Sequence, residues 1–182
     1  MKTVSALMLC AAVALSACAP TGGTGAVGSR PGMINPDDTA AMQFKALDSV
    51  NALRSSGGLQ PLQLNAELNA AAATHSRDMS VQNRPWHFGS DGSSPLDRVR
   101  RVGYTGKLLG ENISETYQTE LETLSDWMRQ PDTRAVILAP TATDMGFSWY
   151  QEPNGKIWWT MITGSSGGFG APVALATAAS PG

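Results

Sequence analysis

The chain has little cysteine and little histidine, two of each in 182 residues. Both cysteines, Cys10 and Cys18, fall near the start, so everything beyond them is without a thiol. A disulfide framework, a thiolate metal site and a cysteine nucleophile are thereby excluded from the body of the protein. Neither sign of charge dominates, with 13 Lys and Arg against 15 Asp and Glu, and the basic residues form no dense run. The electrostatic footprint of a nucleic-acid-binding protein is missing, and no nucleic acid is expected as a partner. Long apolar runs are lacking too: the one near the start, Val4 to Leu15, is too short to be a permanent membrane-crossing helix.

What is present begins with a secretory pattern. A Lys follows the initiator, the apolar run comes next, and small residues close it, which reads as a signal peptide over residues 1–17. Leu15-Ser16-Ala17-Cys18 resembles the lipobox of bacterial lipoproteins, so Cys18 is the expected lipidation site and the new N-terminus. Several acyl chains there would anchor the protein stably to a membrane. Ala19, in place of the Asp that commonly retains lipoproteins at the inner membrane, points to the outer membrane of a cell that has two. Residues 18–38, rich in Gly, Pro and Thr, read as a flexible linker, and residues 165–182 as a disordered low-complexity tail.

The span 39–164 reads as one α+β domain. Thr39 precedes a helix whose apolar face is Phe44, Leu47, Val50 and Leu53 and which Gly57-Gly58 stops. Asn65 caps a second helix, with Leu68, Ala72, His75 and Met79 at helical spacing. Ser94-Pro95-Leu96-Asp97 has the form of a capping box opening a short helix on which Leu96 and Val99 face inward. On that reading Arg98, Arg100 and Arg101 make a solvated face. Thr119 and Glu122 suggest another capping box, before a stripe of Leu121, Leu124 and Met128 that ends at Pro131, and a shorter turn over "RAVILA" ends at Pro140. The period then changes to two: Met145, Phe147 and Trp149 alternate, as do Ile157, Trp159 and Met161, with Asn154-Gly155 between them, which predicts a β-hairpin. Trp127, Trp149, Trp158 and Trp159 are assigned to packing.

Three positions bear on chemistry. His75 sits on an apolar stripe, where a buried imidazole with a backbone or carboxylate partner accounts for it. His87 follows Pro85-Trp86 in a Gly-rich loop, a setting in which a side chain reaches a cleft. Glu111 lies between Gly110 and Asn112, where the glycine allows close backbone approach, and a carboxylate beside an imidazole orients it or shares a cation with it.

Taken in order, "VNALRSSGGLQPLQLNAELNAAAATHSRDMS", "HFGSDGSSPLDRVRRVGY", "GENIS", "WMRQPDTRAVILAP" and "TDMGFSWY" followed by "GKIWWTMITG" resemble the successive motifs of bacterial CAP domains. This superfamily is named for cysteine-rich secretory, antigen 5 and pathogenesis-related proteins. The resemblance implies an α-β-α sandwich, with helices covering a small, mainly antiparallel sheet, and a concave cleft. It also implies a tetrad of two histidines and two acids that holds a divalent cation in some members. His87 matches the first histidine and Glu111 the Gly-Glu-Asn acid. Thr133, in Gln130-Pro131-Asp132-Thr133-Arg134, stands where many relatives have the second histidine, and the second acid falls near Gln130 and is absent.

Two ligands of a tetrad do not make a transition-metal site. Only Asp132 offers a third, so no cofactor is expected and a divalent cation would be held weakly at most. The sequence thus leads to a lipid-anchored envelope protein whose CAP domain binds a lipid, cell-wall or protein ligand through a cleft of His87, Glu111, Gln130 and Thr133. Its rival is an envelope hydrolase with His87 as general base and Glu111 orienting it.

Overall fold

Asn65 illustrates how local chemistry sets the elements. Its backbone is extended and its side chain accepts a hydrogen bond from the Leu68 N–H, which starts helix α2, Ala66–Gln82. The helix stops where Asn83 turns left-handed. In the computed structural model, which describes residues 32–167, the elements before it are a 3-10 turn at Pro36–Asp38, helix α1 at Thr39–Ser56 and the short strand β1 at Gln63–Leu64. After it come α3 (Pro95–Arg101), β2 (Lys107–Ser114), α4 (Glu120–Arg129), α5 (Pro131–Ile137), β3 (Asp144–Gln151) and β4 (Ile157–Ser165). The predicted signal peptide, Cys18 and the tail beyond residue 167 lie outside the described residues. The capping box at Ser94 and Asp97 is present in both directions, and Thr119 caps α4 through the Glu122 N–H.

The sheet has four strands in the order β1-β3-β4-β2. β1 runs parallel to β3, and the other pairs are antiparallel. Side chains alternate across it and feed two cores. Met145, Phe147, Ile157, Trp159 and Met161 pack with Val50 of α1, Leu124 and Trp127 of α4 and Ile137 of α5. On the other face Ile162 packs with Leu68, Ala71 and Ala72 of α2 and Val99 of α3. Helices therefore cover both faces of a small, mainly antiparallel sheet, as expected of an α-β-α sandwich.

Several expectations need correction. Strand β2 was not legible as a strand, and it forms one edge of the sheet. Phe44, Leu96 and Leu121, assigned to inward faces, are exposed, while Leu47, Leu53 and Met128 of the same faces do pack on the core. The predicted linker ends in contact with the domain: Gln151 accepts from the Ile34 N–H and donates to the Gly32 carbonyl, and Ile34 packs on the core. Strand β4 reaches Ser165, one residue past the expected boundary, and the Ser166 hydroxyl still bonds Asp144.

Arg54 is the other surprise. It is fully buried on the inward stripe of α1 with Ala46 and Val50, and among the described residues it has no carboxylate partner. Its guanidinium instead donates to the carbonyls of Gln60, Ile137, Ala139 and Ala142, tying the end of α1 to the turn that follows α5. Burial pulls its pKa down from the ordinary arginine value. Removing it strands several buried acceptors, each worth roughly 1–3 kcal/mol when left unpaired. Arg54→Met is accordingly expected to lose about 3 kcal/mol or more of stability in urea unfolding; a loss below about 1 kcal/mol would mean that the carbonyls find other donors.

Candidate functional site

The site is built where the two layers meet at the edge of β2. Glu111 is paired with Ile162 and Asn112 with Met161, and residues opposite each other in an antiparallel pair share a face. Glu111 thus points to the layer of α2 and α3, and Asn112 to the layer of α4 and α5. Gly110 has a specific reason: a Cβ there would lie 2.6 Å from Val136 Cγ2, so only glycine lets α5 close on β2 at the bulge beside Leu109. Asn112 completes that approach by donating from Nδ2 to the Thr133 carbonyl at 2.8 Å.

His87 comes from the loop between α2 and α3, which is pinned at both ends. Asp78 accepts from the Ser90 N–H and hydroxyl, Gln82 donates to the Phe88 carbonyl, and the Gly89 N–H bonds the Ser93 carbonyl around Gly92, which has φ +79°. His87 Nδ1 lies 2.9 Å from Glu111 Oε1, so the structure joins the two residues that the sequence singled out.

Arg98, read from sequence as solvated, is instead buried against the same carboxylate. Its Nη2 donates to Glu111 Oε1 at 2.9 Å and Oε2 at 2.7 Å, and its Nη1 donates to the His87 carbonyl at 2.9 Å and the Ser93 carbonyl at 3.2 Å. The Arg98 and Glu111 side chains are 4% and 2% exposed, against 51% for His87. The reason is the rotation of α3. Pro95, Arg98, Val99 and Val102 form the inward stripe at i, i+3, i+4 and i+7, while Leu96 is turned out.

A fourth group, His75 of α2, is fully buried as expected. Its Nε2 is 3.6 Å from Glu111 Oε1, and neither ring nitrogen has a hydrogen-bond partner among the described residues. Burial, the largest influence, pulls its pKa down, against the upward pull of Glu111. For Glu111 burial pushes up most strongly, yet the His87 hydrogen bond, His75 and Arg98 together hold it below the ordinary carboxylate value. Burial thus favours the neutral form of His75, while the bonds to Glu111 favour the ionised form of that carboxylate.

A cleft of about 380 Å³ opens over this cluster, lined by Pro85, Trp86, His87, Phe88, Glu111, Asn112, Ile113 and Thr133. Trp86 and Phe88 form its aromatic wall, with ring centroids 5.1 Å apart, and Arg84 sits 4.0 Å over the Trp86 ring. Thr133 lines the cleft, but its hydroxyl donates to the Trp127 carbonyl at 2.6 Å and so closes the end of α4. Gln130 and Asp132 do not line it. Gln130 reaches Asp126, and Asp132 is exposed.

The donors present do not fit a metal. Both Glu111 oxygens are taken by Arg98, one also by His87, and Thr133 is turned to the backbone. Among the described residues no three His, Cys, Asp or Glu side chains are grouped as a metal site requires.

Comparison with known proteins agrees with this architecture. The profile of the cysteine-rich secretory protein family, CAP, matches residues 47–163, and the chain belongs to that family. The uncharacterized protein YkwD of Bacillus subtilis is 32% identical over 129 residues, covering 71% of this chain and 49% of that one. The chain thus spans about half the length of this curated relative. An outer surface protein from Borrelia burgdorferi shares the fold with TM-score 0.64 at 14% identity, covering 71% of this chain and 95% of that one. So does an extracellular SCP-domain protein from Bacillus anthracis, with TM-score 0.63 at 23% identity over 72% of this chain and 44% of its own.

Two predictions follow from the cluster. Glu111→Gln and Arg98→Met should each cost about 3–5 kcal/mol, because each strands a buried partner, while the double variant costs clearly less than their sum. Additivity in urea unfolding would show that the pair is not coupled. The second concerns pH. Burial lowers His75 in the folded chain below its ordinary 6.5, so the unfolded chain takes up that proton first and stability falls as pH drops through 6.5 toward the lowered folded value. Glu111 adds to the loss at lower pH, since its contribution is complete above the ordinary carboxylate value and disappears through its lowered folded value. His75→Leu should flatten the upper part of that slope; an unchanged slope would assign it to another group.

Proposed function

We propose that the protein is exported, anchored to the bacterial envelope by acyl groups on Cys18, and binds a ligand through the cleft at His87 and Glu111 without turning it over. Ala19 favours the outer membrane in a cell with two membranes. No helix among the described residues is long and apolar enough to cross a membrane, so a lipid on Cys18 would supply the attachment.

The observation that carries the reading is the commitment of Glu111. A carboxylate that accepts from a buried guanidinium on both oxygens and meets an imidazole on one of them is held in place, with most of its acceptor capacity committed. What remains open to a ligand is the half-exposed His87 ring beside Trp86, Phe88 and Ile113. An apolar wall with one oriented polar group is the usual composition of a binding cleft.

The hydrolase reading has one observation in its favour, the 2.9 Å His87–Glu111 contact, which is the arrangement of a base and its orienting acid. Against it, among the described residues no Ser or Thr hydroxyl bonds His87, so a nucleophile would have to be water.

Incubation of the purified protein with lipid and cell-wall extracts, followed by mass spectrometry of what stays bound, separates the two readings. The expected result is an unmodified ligand whose affinity falls about tenfold or more, roughly 1.4 kcal/mol, in His87→Ala at unchanged melting temperature. A cleaved product that depends on His87 would establish the hydrolase instead. In the producing cell, Cys18→Ala is expected to remove the acyl mass from the mature protein and release it from the membrane fraction; persistence there would refute the anchor.

A further inference from the structure

We infer that Arg98 is the resident cation of this cleft: it occupies on Glu111 the place a metal ion would need and, by holding that carboxylate, fixes His87 with Nδ1 protonated and Nε2 free to accept a hydrogen bond. The inference rests on the ligand-binding reading above and narrows it to a chemical class. The ligand presents an uncharged O–H or N–H group to Nε2 and an apolar face to Trp86 and Phe88.

The geometry carries each step. Arg98 uses both terminal nitrogens, one forked on the two Glu111 oxygens and the other on the carbonyls of His87 and Ser93, so one side chain sets both the acid and the loop that carries the histidine. Guanidinium is always charged and is planar, and here it is held from two sides, Nη2 by the carboxylate and Nη1 by the two carbonyls, which makes it a fixed counter-ion where a lysine would be a movable one. A metal entering on Glu111 would have to displace that fork and leave a guanidinium stranded at 4% exposure. The pair is also neutral as a whole, so nothing draws a divalent cation into the cleft.

Since Glu111 is acceptor-only, the 2.9 Å contact requires the proton to be on His87 Nδ1. A neutral imidazole then has an acceptor at Nε2, which has no partner among the described residues. Arg98 is in this sense a positioning residue that acts on the ligand through Glu111 and His87. The position expected of the second histidine fits the same logic: the Thr133 hydroxyl there donates to the Trp127 carbonyl and is turned to the backbone.

Imidazole nitrogen NMR of the full mature protein, with and without excess zinc, reads this directly. Wild type is expected to show a protonated Nδ1 and an unprotonated Nε2 at His87, unmoved by zinc. Thr133→His with Arg98 intact should gain no zinc affinity, whereas Thr133→His combined with Arg98→Met should gain about tenfold or more. A His87 protonated at Nε2 in wild type, or zinc bound by Thr133→His alone, would overturn the proposal. Those two measurements need no Arg98 variant and decide the matter even if the double variant does not fold. They also need no ligand, so a failure of the ligand-binding reading shows only in the extract experiment.

Discussion

The buried pair of Arg98 and Glu111 is the interaction on which the rest of the cleft depends. Two opposite charges taken out of water are costly singly and tolerable only when forked together and otherwise satisfied. Here Nη2 alone spans both carboxylate oxygens, one of which also meets His87, and Nη1 caps two loop carbonyls, while Nε is buried without a partner among the described residues. Helix α3, strand β2 and the loop before α3 are thereby held to one another at a single point. The capping box at Ser94 sets the rotation of α3 that brings Arg98 inward, and Gly110 sets the approach of α5 from the other side.

From this constraint the chemistry of the site follows. In this CAP-family fold His87 and Glu111 meet, and the acid has Arg98 as a buried counter-ion. The cleft carries that imidazole and an aromatic wall, and among the described residues no three His, Cys, Asp or Glu side chains group as a metal site requires. His75, close to Glu111 yet without a hydrogen bond among the described residues, belongs to the same cluster, and burial lowers its pKa.

Much of this architecture was legible in the chain because local signals agreed with the tertiary outcome. The Asn65 cap, the Ser94 capping box, the Asn154-Gly155 hairpin and the alternation around Trp159 all sit where short-range chemistry and burial demand the same thing. His87 was singled out by its Gly-rich loop, Glu111 by the glycine before it, and the pair by the resemblance to CAP motifs, and the structure brings the two into contact. Two of the failures come from charge within an apolar stripe. Arg98 holds such a position on α3, and reading it as solvated placed Leu96 inside although it is exposed. On α1 the buried stripe of Ala46, Val50 and Arg54 includes a cation that the apolar pattern does not mark, and Phe44 was placed inside although it is exposed. Strand β2 escaped because Gly110, Glu111 and Asn112 break the hydrophobic alternation, and their burial depends on partners distant in sequence. A helical stripe that includes an arginine is a signal for buried acceptors elsewhere, the Glu111 carboxylate for Arg98 and backbone carbonyls for Arg54.

The most direct test of the central claim is a crystal structure of the protein grown with zinc in the mother liquor at neutral pH. The account predicts Arg98 forked on both oxygens of Glu111, His87 Nδ1 on the same carboxylate, and no anomalous zinc peak between them. A zinc ion bound to His87 and Glu111, with the guanidinium turned away, would contradict it.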